Sequence, residues 1–242
     1  MRTPWIVASI FASFFSSSSY SDFVGLNIGS SFWVPGVSGS FNSSNNSNVP
    51  VSNRATSDRK SNQSFSVKFE HPIPALPNVK FQNFALTNSS TADLNNVNFN
   101  GTNFNGNHTS NLDLSHNDLT LYYELLDNWV NLDLGLNLKQ IDGDISVRDE
   151  TIGINETIPQ IYISARFDLP TTGFYVGADL QNISILSDNK AENSTLMVGY
   201  ETSSGLGIEG GYKSFSINLD NASSLNAQLE YDGLYVNGYI HF

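Results

Sequence analysis

The sequence has no cysteine, which removes disulfide frameworks, thiolate metal sites and thiol nucleophiles. An oxidising compartment is permitted by this and not proved by it. Basic residues are scarce: 11 Lys and Arg stand against 23 Asp and Glu, giving a formal net charge of −12. Phosphate neutralisation needs clustered Lys and Arg. The one basic cluster, Arg54, Arg59 and Lys60, is too small, so nucleic acid is excluded as a partner. Charged residues of either sign make up only 14% of the chain, yet no apolar run approaches the ~18 residues that a spanning helix requires. A helical membrane protein is therefore excluded.

What is present is alternation. The last residues, Leu234 to Phe242, place Leu234, Val236, Gly238, Ile240 and Phe242 on one face and Tyr235, Asn237, Tyr239 and His241 on the other. This is the dyad pattern of a strand with a lipid side and a lumen side, ending on an aromatic ring as outer membrane barrels do. At the other end, Arg2, the apolar stretch Trp5 to Phe15 and the small residues Ser19 and Ser21 have the layout of an export signal over residues 1–21, leaving 22–242 as one barrel domain.

Between these ends, alternating segments are expected at Val24 to Phe32, Phe65 to Phe69, Val79 to Leu86, Asp118 to Leu125, Val130 to Lys139, Gln160 to Leu169, Phe174 to Leu186, around Leu196 to Tyr200, from Leu206, and from near Leu225. Short turns such as His71 to Pro77 and Pro170 to Gly173 take turns with long Asn/Ser-rich stretches that read as loops. One of these holds the Asn-Gly steps at Asn100 and Asn105. The expected fold is all-β: a closed antiparallel up-and-down transmembrane β-barrel of ten strands, with eight or twelve as alternatives. An even count puts both termini on the periplasmic side of a bacterial outer membrane and gathers the long loops outside.

Several segments change the face that carries their apolar residues: Leu112 and Leu114 against Leu119, Leu180 against Ile183, Tyr212 against Phe215. Bulges or departure from the membrane are expected there. At Tyr231-Asp232-Gly233-Leu234 the expectation is a bulge at Gly233, with a hairpin as the competing reading.

A soluble β-barrel or sandwich alternates too. The export signal, the aromatic final residue and the alternation of short turns with long loops favour the membrane. The stretches Phe69 to Asn78, Leu121 to Gly135 and Pro159 to Tyr162 resemble a family of small outer membrane β-barrel proteins from marine and other gammaproteobacteria. The resemblance spans the whole mature chain. It implies that fold and location, with no assigned activity and no catalytic residues. The Asn/Ser-rich first and second loops depart from the family.

On this parity the lumen holds Lys68, Lys80, Lys139, Arg166 and Lys213 beside Glu70, Asp118, Glu124, Asp133, Asp168, Asp179, Glu201, Glu209 and Glu230. Buried charge without a partner costs several kcal/mol, on the order of a whole stabilising contact. A network of ion pairs filling a narrow barrel is therefore the first expectation, with a structural or surface role. A narrow cation-preferring channel is the alternative, because carboxylates are in excess. A second alternative is an outer-rim hydrolase or acyltransferase at His116, the one histidine with Ser115 and Asp118 as neighbours; a solvated rim histidine is the plainer reading. No enzyme activity, cofactor or metal is expected. The acidic pairs Asp142 with Asp144 and Asp149 with Glu150 have the chemistry to bind divalent cations, but Asp142-Gly143-Asp144 is a fragment of a calcium loop without the remaining ligands, and a solvated turn is the plainer reading.

Trp33, Trp129, Tyr200 and Phe242 are expected as the aromatic girdle. Tyr235, Gly238, Tyr239, Ile240 and Phe242 are expected to form the signal read by the barrel assembly machinery. The remaining expected partners are outer membrane lipid and lipopolysaccharide around a monomer.

Overall fold

A computed structural model describes residues 24–43, 47–53, 59–73, 75–182 and 188–242. The expected export signal over 1–21 lies outside the described residues. Thirteen strands follow in chain order. They are β1 (Gly25–Ser43), β2 (Val49–Asn53), β3 (Asn62–Glu70), β4 (Asn78–Phe84), β5 (Thr87–Phe99), β6 (Thr102–Asp113) and β7 (His116–Leu126). After these come β8 (Val130–Val147), β9 (Glu150–Asp168), β10 (Phe174–Asn182), β11 (Lys190–Glu201), β12 (Leu206–Ala222) and β13 (Leu225–His241).

Ten of these close into a cycle, β1-β3-β4-β7-β8-β9-β10-β11-β12-β13 and back to β1, every neighbour antiparallel. Closure leaves no unpaired edge in the cycle, which hydrocarbon demands because it offers backbone groups no partner. The ten-stranded up-and-down barrel expected from the sequence is what the chain forms. Leu134, Leu136 and Leu138 on β8, Leu196 and Val198 on β11, and Leu234 and Val236 on β13 face outward; Leu136 and Leu234 are 60% and 71% exposed. These belong to an apolar belt around the barrel wall.

Two segments read as loops are strands. The stretch after Phe32 continues as β1 to Ser43 and returns as β2, pairing Val37 with Asn53 and Phe41 with Val49. The stretch between β4 and β7 is the hairpin β5–β6, turning at Asn100 (φ 50) and Gly101 (φ 86), the left-handed pair that a two-residue hairpin requires. Strand β6 then pairs with the far end of β8, from Ser110 with Val147 to Asp113 with Asp144. Strand seven was expected to run to Leu186; β10 ends at Asn182, and residues 183–187 lie outside the described ones.

Strands β1, β8, β9, β12 and β13 run 17 to 19 residues. At ~3.3 Å per residue that is roughly 60 Å, about twice what the 9–11 residues of a tilted crossing need. Their surplus ends build a second storey at the long-loop end, the head, and here the polarity of the wall inverts. On β8 the apolar residues pass from outward Leu134, Leu136 and Leu138 to inward Ile141, Ile145 and Val147. On β12 they pass from Ile208 and Tyr212 to Phe215, Ile217 and Leu219, and on β13 from Leu234 and Val236 back to Tyr231, Leu229, Ala227 and Leu225. With Phe41, Val49, Leu94, Phe99, Phe104 and Leu112 they form one buried cluster inside the head.

The inversion needs no change of register. Pairing of β8 with β9 runs unbroken from Val130–Phe167 to Val147–Glu150, and β13 pairs with β1 without a shift through Asp232 and Gly233. The bulge expected at Gly233 and the competing hairpin are both absent. Gly233 is there for space: a Cβ would sit 2.4 Å from the Val34 carbonyl oxygen and 3.0 Å from the Pro35 Cα. Register shifts fall elsewhere, at Leu94/Val97, Glu124/Leu126 and Leu219/Ala222.

Candidate functional site

Period-two alternation sends every second side chain of the ten strands into the lumen, and three layers result. Nearest the short turns is an ionic layer. Lys68 Nζ lies 2.5 Å from Glu70 and 3.8 Å from Asp133, and Lys80 is 3.4 Å from Asp179. Arg166 bridges Asp168 at 2.8 Å and Glu201 at 3.3 Å. Tyrosine hydroxyls complete it: Tyr122 donates to Glu70, Tyr175 to Glu209 and Tyr239 to Glu201, each at 2.8 Å. Their rings also lie against cations, with the Arg166 guanidinium 3.7 Å from the Tyr175 ring centre and Lys80 5.2 Å from that of Tyr162. The tyrosines fit because glycines face them. A Cβ on Gly199 would fall 2.2 Å from the Tyr175 ring, and one on Gly207 would fall 2.1 Å from the Tyr239 ring.

Above this lies an uncharged belt of hydrogen bonds across β7, β8, β9, β10 and β11. Thr120 donates to Asn137 at 2.8 Å, Asn137 to Gln160 at 2.9 Å, and Gln160 to the Ala191 carbonyl. Asn193 donates to Gln181 at 2.7 Å. One ion pair is set in it, Lys139 Nζ at 2.8 Å from Asp118 with both side chains wholly buried.

Over the belt comes the apolar roof, which begins at Phe84, His116, Phe215 and Trp33 and merges with the core of the head. His116 is stacked between Phe84 (centres 4.7 Å apart) and Phe215 (5.4 Å), and its Nδ1 meets the Leu114 carbonyl at 2.8 Å. It is not the solvated rim histidine expected. Nor does it meet the partners a triad needs: Ser115 Oγ accepts from the Leu86 amide at 3.1 Å, and Asp118 is bound to Lys139.

Below the roof and within the ionic layer is a cavity of about 180 Å³, lined from Lys213 and Phe84 down to Arg166, Asn27 and Tyr239. Lys213 stands at its upper end with the rings of Phe84, Tyr235 and Trp33 at 4.6, 5.4 and 5.8 Å. Trp33 was expected in the girdle, but it is buried inside the wall and donates to the Gly233 carbonyl at 3.2 Å. The other expected anchors, Trp129, Tyr200 and Phe242, are exposed.

The remaining sequence candidates disperse. Glu124 lies at the short-turn rim against Glu70. Glu230 is exposed on the outer face, because unbroken register leaves it on the same side as Leu234, so it is not a lumen residue. His241 faces inward with Nδ1 3.4 Å from Glu201. His71 closes its own turn on the Pro77 carbonyl at 3.2 Å, and His108 meets the Asn105 carbonyl at 3.0 Å. Glu150 accepts from Asn100 at 3.1 Å and Thr102 at 2.8 Å, tying two hairpin tips together. Among the described residues no three His, Cys, Asp or Glu side chains gather as a metal site. The tyrosine partners Tyr122, Tyr162 and Tyr175 were not singled out from the sequence, although their parity places all three inward.

No known protein family matches the chain, and no curated protein is similar to it in sequence. Among solved structures, the chain is similar in fold to the outer membrane protease OmpT of Escherichia coli, with TM-score 0.50 and 11% identity over 94% of this chain and 100% of that one. The transport unit of the autotransporter AIDA-I from Escherichia coli gives TM-score 0.39 and 10% identity over 95% of this chain and 93% of that one. A Pseudomonas aeruginosa FadL homologue gives 0.35 and 7%, over 91% and 90%. The likeness at this identity is one of fold: a bacterial outer membrane β-barrel.

Proposed function

We propose that this protein is a non-enzymatic resident of the bacterial outer membrane, a monomer akin to the small gammaproteobacterial barrels its sequence resembles. In this reading its barrel is a plugged pedestal that holds a polar, Asn- and Ser-rich head at the cell surface. The short turns and both termini are periplasmic, the belt contacts acyl chains, and the base of the head meets lipopolysaccharide. The last strand, through Tyr235, Gly238, Tyr239, Ile240 and Phe242, is what the assembly machinery reads. One observation carries this: five strands run unbroken from an apolar outer belt into a head whose apolar residues turn inward and join one core across the lumen axis.

The channel reading needs a continuous water path, and the roof lies across it. The rim-hydrolase reading needs a nucleophile at His116, and the two phenyl rings occupy both faces of that imidazole.

The absence of cysteine makes orientation directly measurable. With Asp149→Cys in the head and Ala75→Cys in a short turn, a membrane-impermeant maleimide added to intact cells should label the first and reach the second only after permeabilisation. The opposite pattern would overturn the assignment of the head to the surface.

A further inference from the structure

We propose that the cavity under the roof is a binding site for a small oxyanion, a carboxylate or a phosphate, held by Lys213 and entering from the short-turn end. Four cationic side chains, Lys68, Lys80, Arg166 and Lys213, line this cavity against two carboxylates, Asp179 and Glu209. Three of the cations have acidic partners: Lys68 has Glu70, Lys80 has Asp179, and Arg166 has Asp168 and Glu201. Among the described residues none lies within ion-pair distance of Lys213. Glu209, the other acid of the wall, accepts from Tyr175 at 2.8 Å, Asn237 at 3.2 Å and Tyr235 at 3.3 Å.

Lys213 instead stands among three rings, which attract a cation through their faces but cannot accept a charge-assisted hydrogen bond. Asp179 and Glu209 act on Lys213 only from beyond ion-pair distance, and an ammonium in a narrow lumen with no carboxylate in contact is an expensive arrangement unless an anion completes it. The surroundings suit one. Thr195 is paired directly opposite Lys213 across the ladder, and Ser31, Gln82, Gln181 and Asn193 line the same space with hydroxyl and amide donors. A volume of about 180 Å³ holds an anion of a few heavy atoms together with water. The aromatic end of the cavity is closed by the roof, whereas the opposite end reaches Arg166 and Tyr239 near the short turns. That the anion comes from the periplasm rests on the orientation proposed above; that it binds at Lys213 does not.

The full-length protein, refolded in detergent and shown to be folded by its heat-modifiable migration, is titrated with sodium phosphate and with sodium acetate at ionic strength matched by chloride. Emission is followed in a Trp5→Phe, Trp129→Phe background, so that Trp33 beside Lys213 is the one tryptophan left to report. A saturable change is expected with phosphate, acetate or both, the two arms separating the kinds of anion, and chloride should not reproduce it. Lys213→Met should weaken the apparent Kd by about tenfold or more, the size of one charge-assisted hydrogen bond. Lys190→Met, which removes an exposed ammonium of β11 outside the cavity lining, should leave it near the wild-type value. Equal binding by Lys213→Met, or no saturable change in folded wild-type protein, would overturn the site. Should Lys213→Met not refold, the wild-type comparison of oxyanion with chloride still decides. A reversed maleimide pattern alongside intact binding would move the source of the anion and leave the site standing.

Discussion

At the scale of single residues, the lumen cations other than Lys213 each have an acidic partner, and the costs of undoing these pairs differ sharply from one to the next. Lys139 and Asp118 have no exposed side-chain surface at all. Removing one partner strands the other in an apolar setting, at a cost of about 3–5 kcal/mol, whereas replacing both by apolar groups of similar size is close to neutral. Asp118→Ala should therefore lower the urea midpoint of the folded barrel far more than Asp118→Leu with Lys139→Met. If the double variant is the weaker of the two, the pair contributes more than a mutual cancellation. Arg166 with Asp168 is partly exposed, and Asp168→Asn should change the midpoint by no more than about 1 kcal/mol equivalent. Glycine 199 is a steric case: with a Cβ 2.2 Å from the Tyr175 ring, Gly199→Val must displace the tyrosine from Glu209. It should slow or prevent folding into the heat-modifiable form, and Tyr175→Ala in the same chain should restore it.

At the scale of the strand, the inversion of polarity gives a sharper prediction than the belt alone. Leu136 and Gln140 lie on the same outward face of β8, four residues apart. An arginine on a lipid face costs about 2–4 kcal/mol near the bilayer midplane and falls toward 0–1 at its boundary. Leu136→Arg should thus be strongly destabilising in a lipid-vesicle folding equilibrium and Gln140→Arg nearly silent; equal penalties would place Gln140 inside the hydrocarbon too. The strands of the belt were legible because lipid requires an apolar residue at every second position, as in Val130 to Leu138. The head was not legible for a related reason. A strand that leaves lipid and enters a protein core exchanges its apolar face while its backbone stays straight, and in a sequence that exchange has the same signature as a one-residue bulge. Tyr231-Asp232-Gly233-Leu234 shows this directly, since its apparent slip is a change of surroundings around an unbroken register. The β5–β6 hairpin was hidden differently. Its inward apolar residues, Leu94, Val97, Phe99 and Phe104, are spaced among so many Asn, Ser and Thr residues that the segment reads as polar, although Asn100-Gly101 marked the turn.

At the scale of the molecule, the two storeys bear on what the excess of carboxylates can do. A surplus of negative charge favours cations in a pore only if water runs from one side to the other. Here the charges of the ionic layer lie between the short turns and the roof, and the head above fills its interior with Phe41, Phe99, Ile145, Ile154, Leu229 and other wholly or nearly wholly buried apolar side chains drawn from strands around the whole circumference. An ion crossing would have to shed its hydration within that core, where the carboxylates below give it no help. In planar bilayers the wild-type protein should therefore show no stepwise conductance, at any ratio of cation to anion tested, while remaining heat-modifiable and membrane-inserted. Stepwise openings whose cation preference declines when Asp133 and Glu201 are neutralised would mean that the head opens as a unit, and would return the lumen to the role of a selective pore.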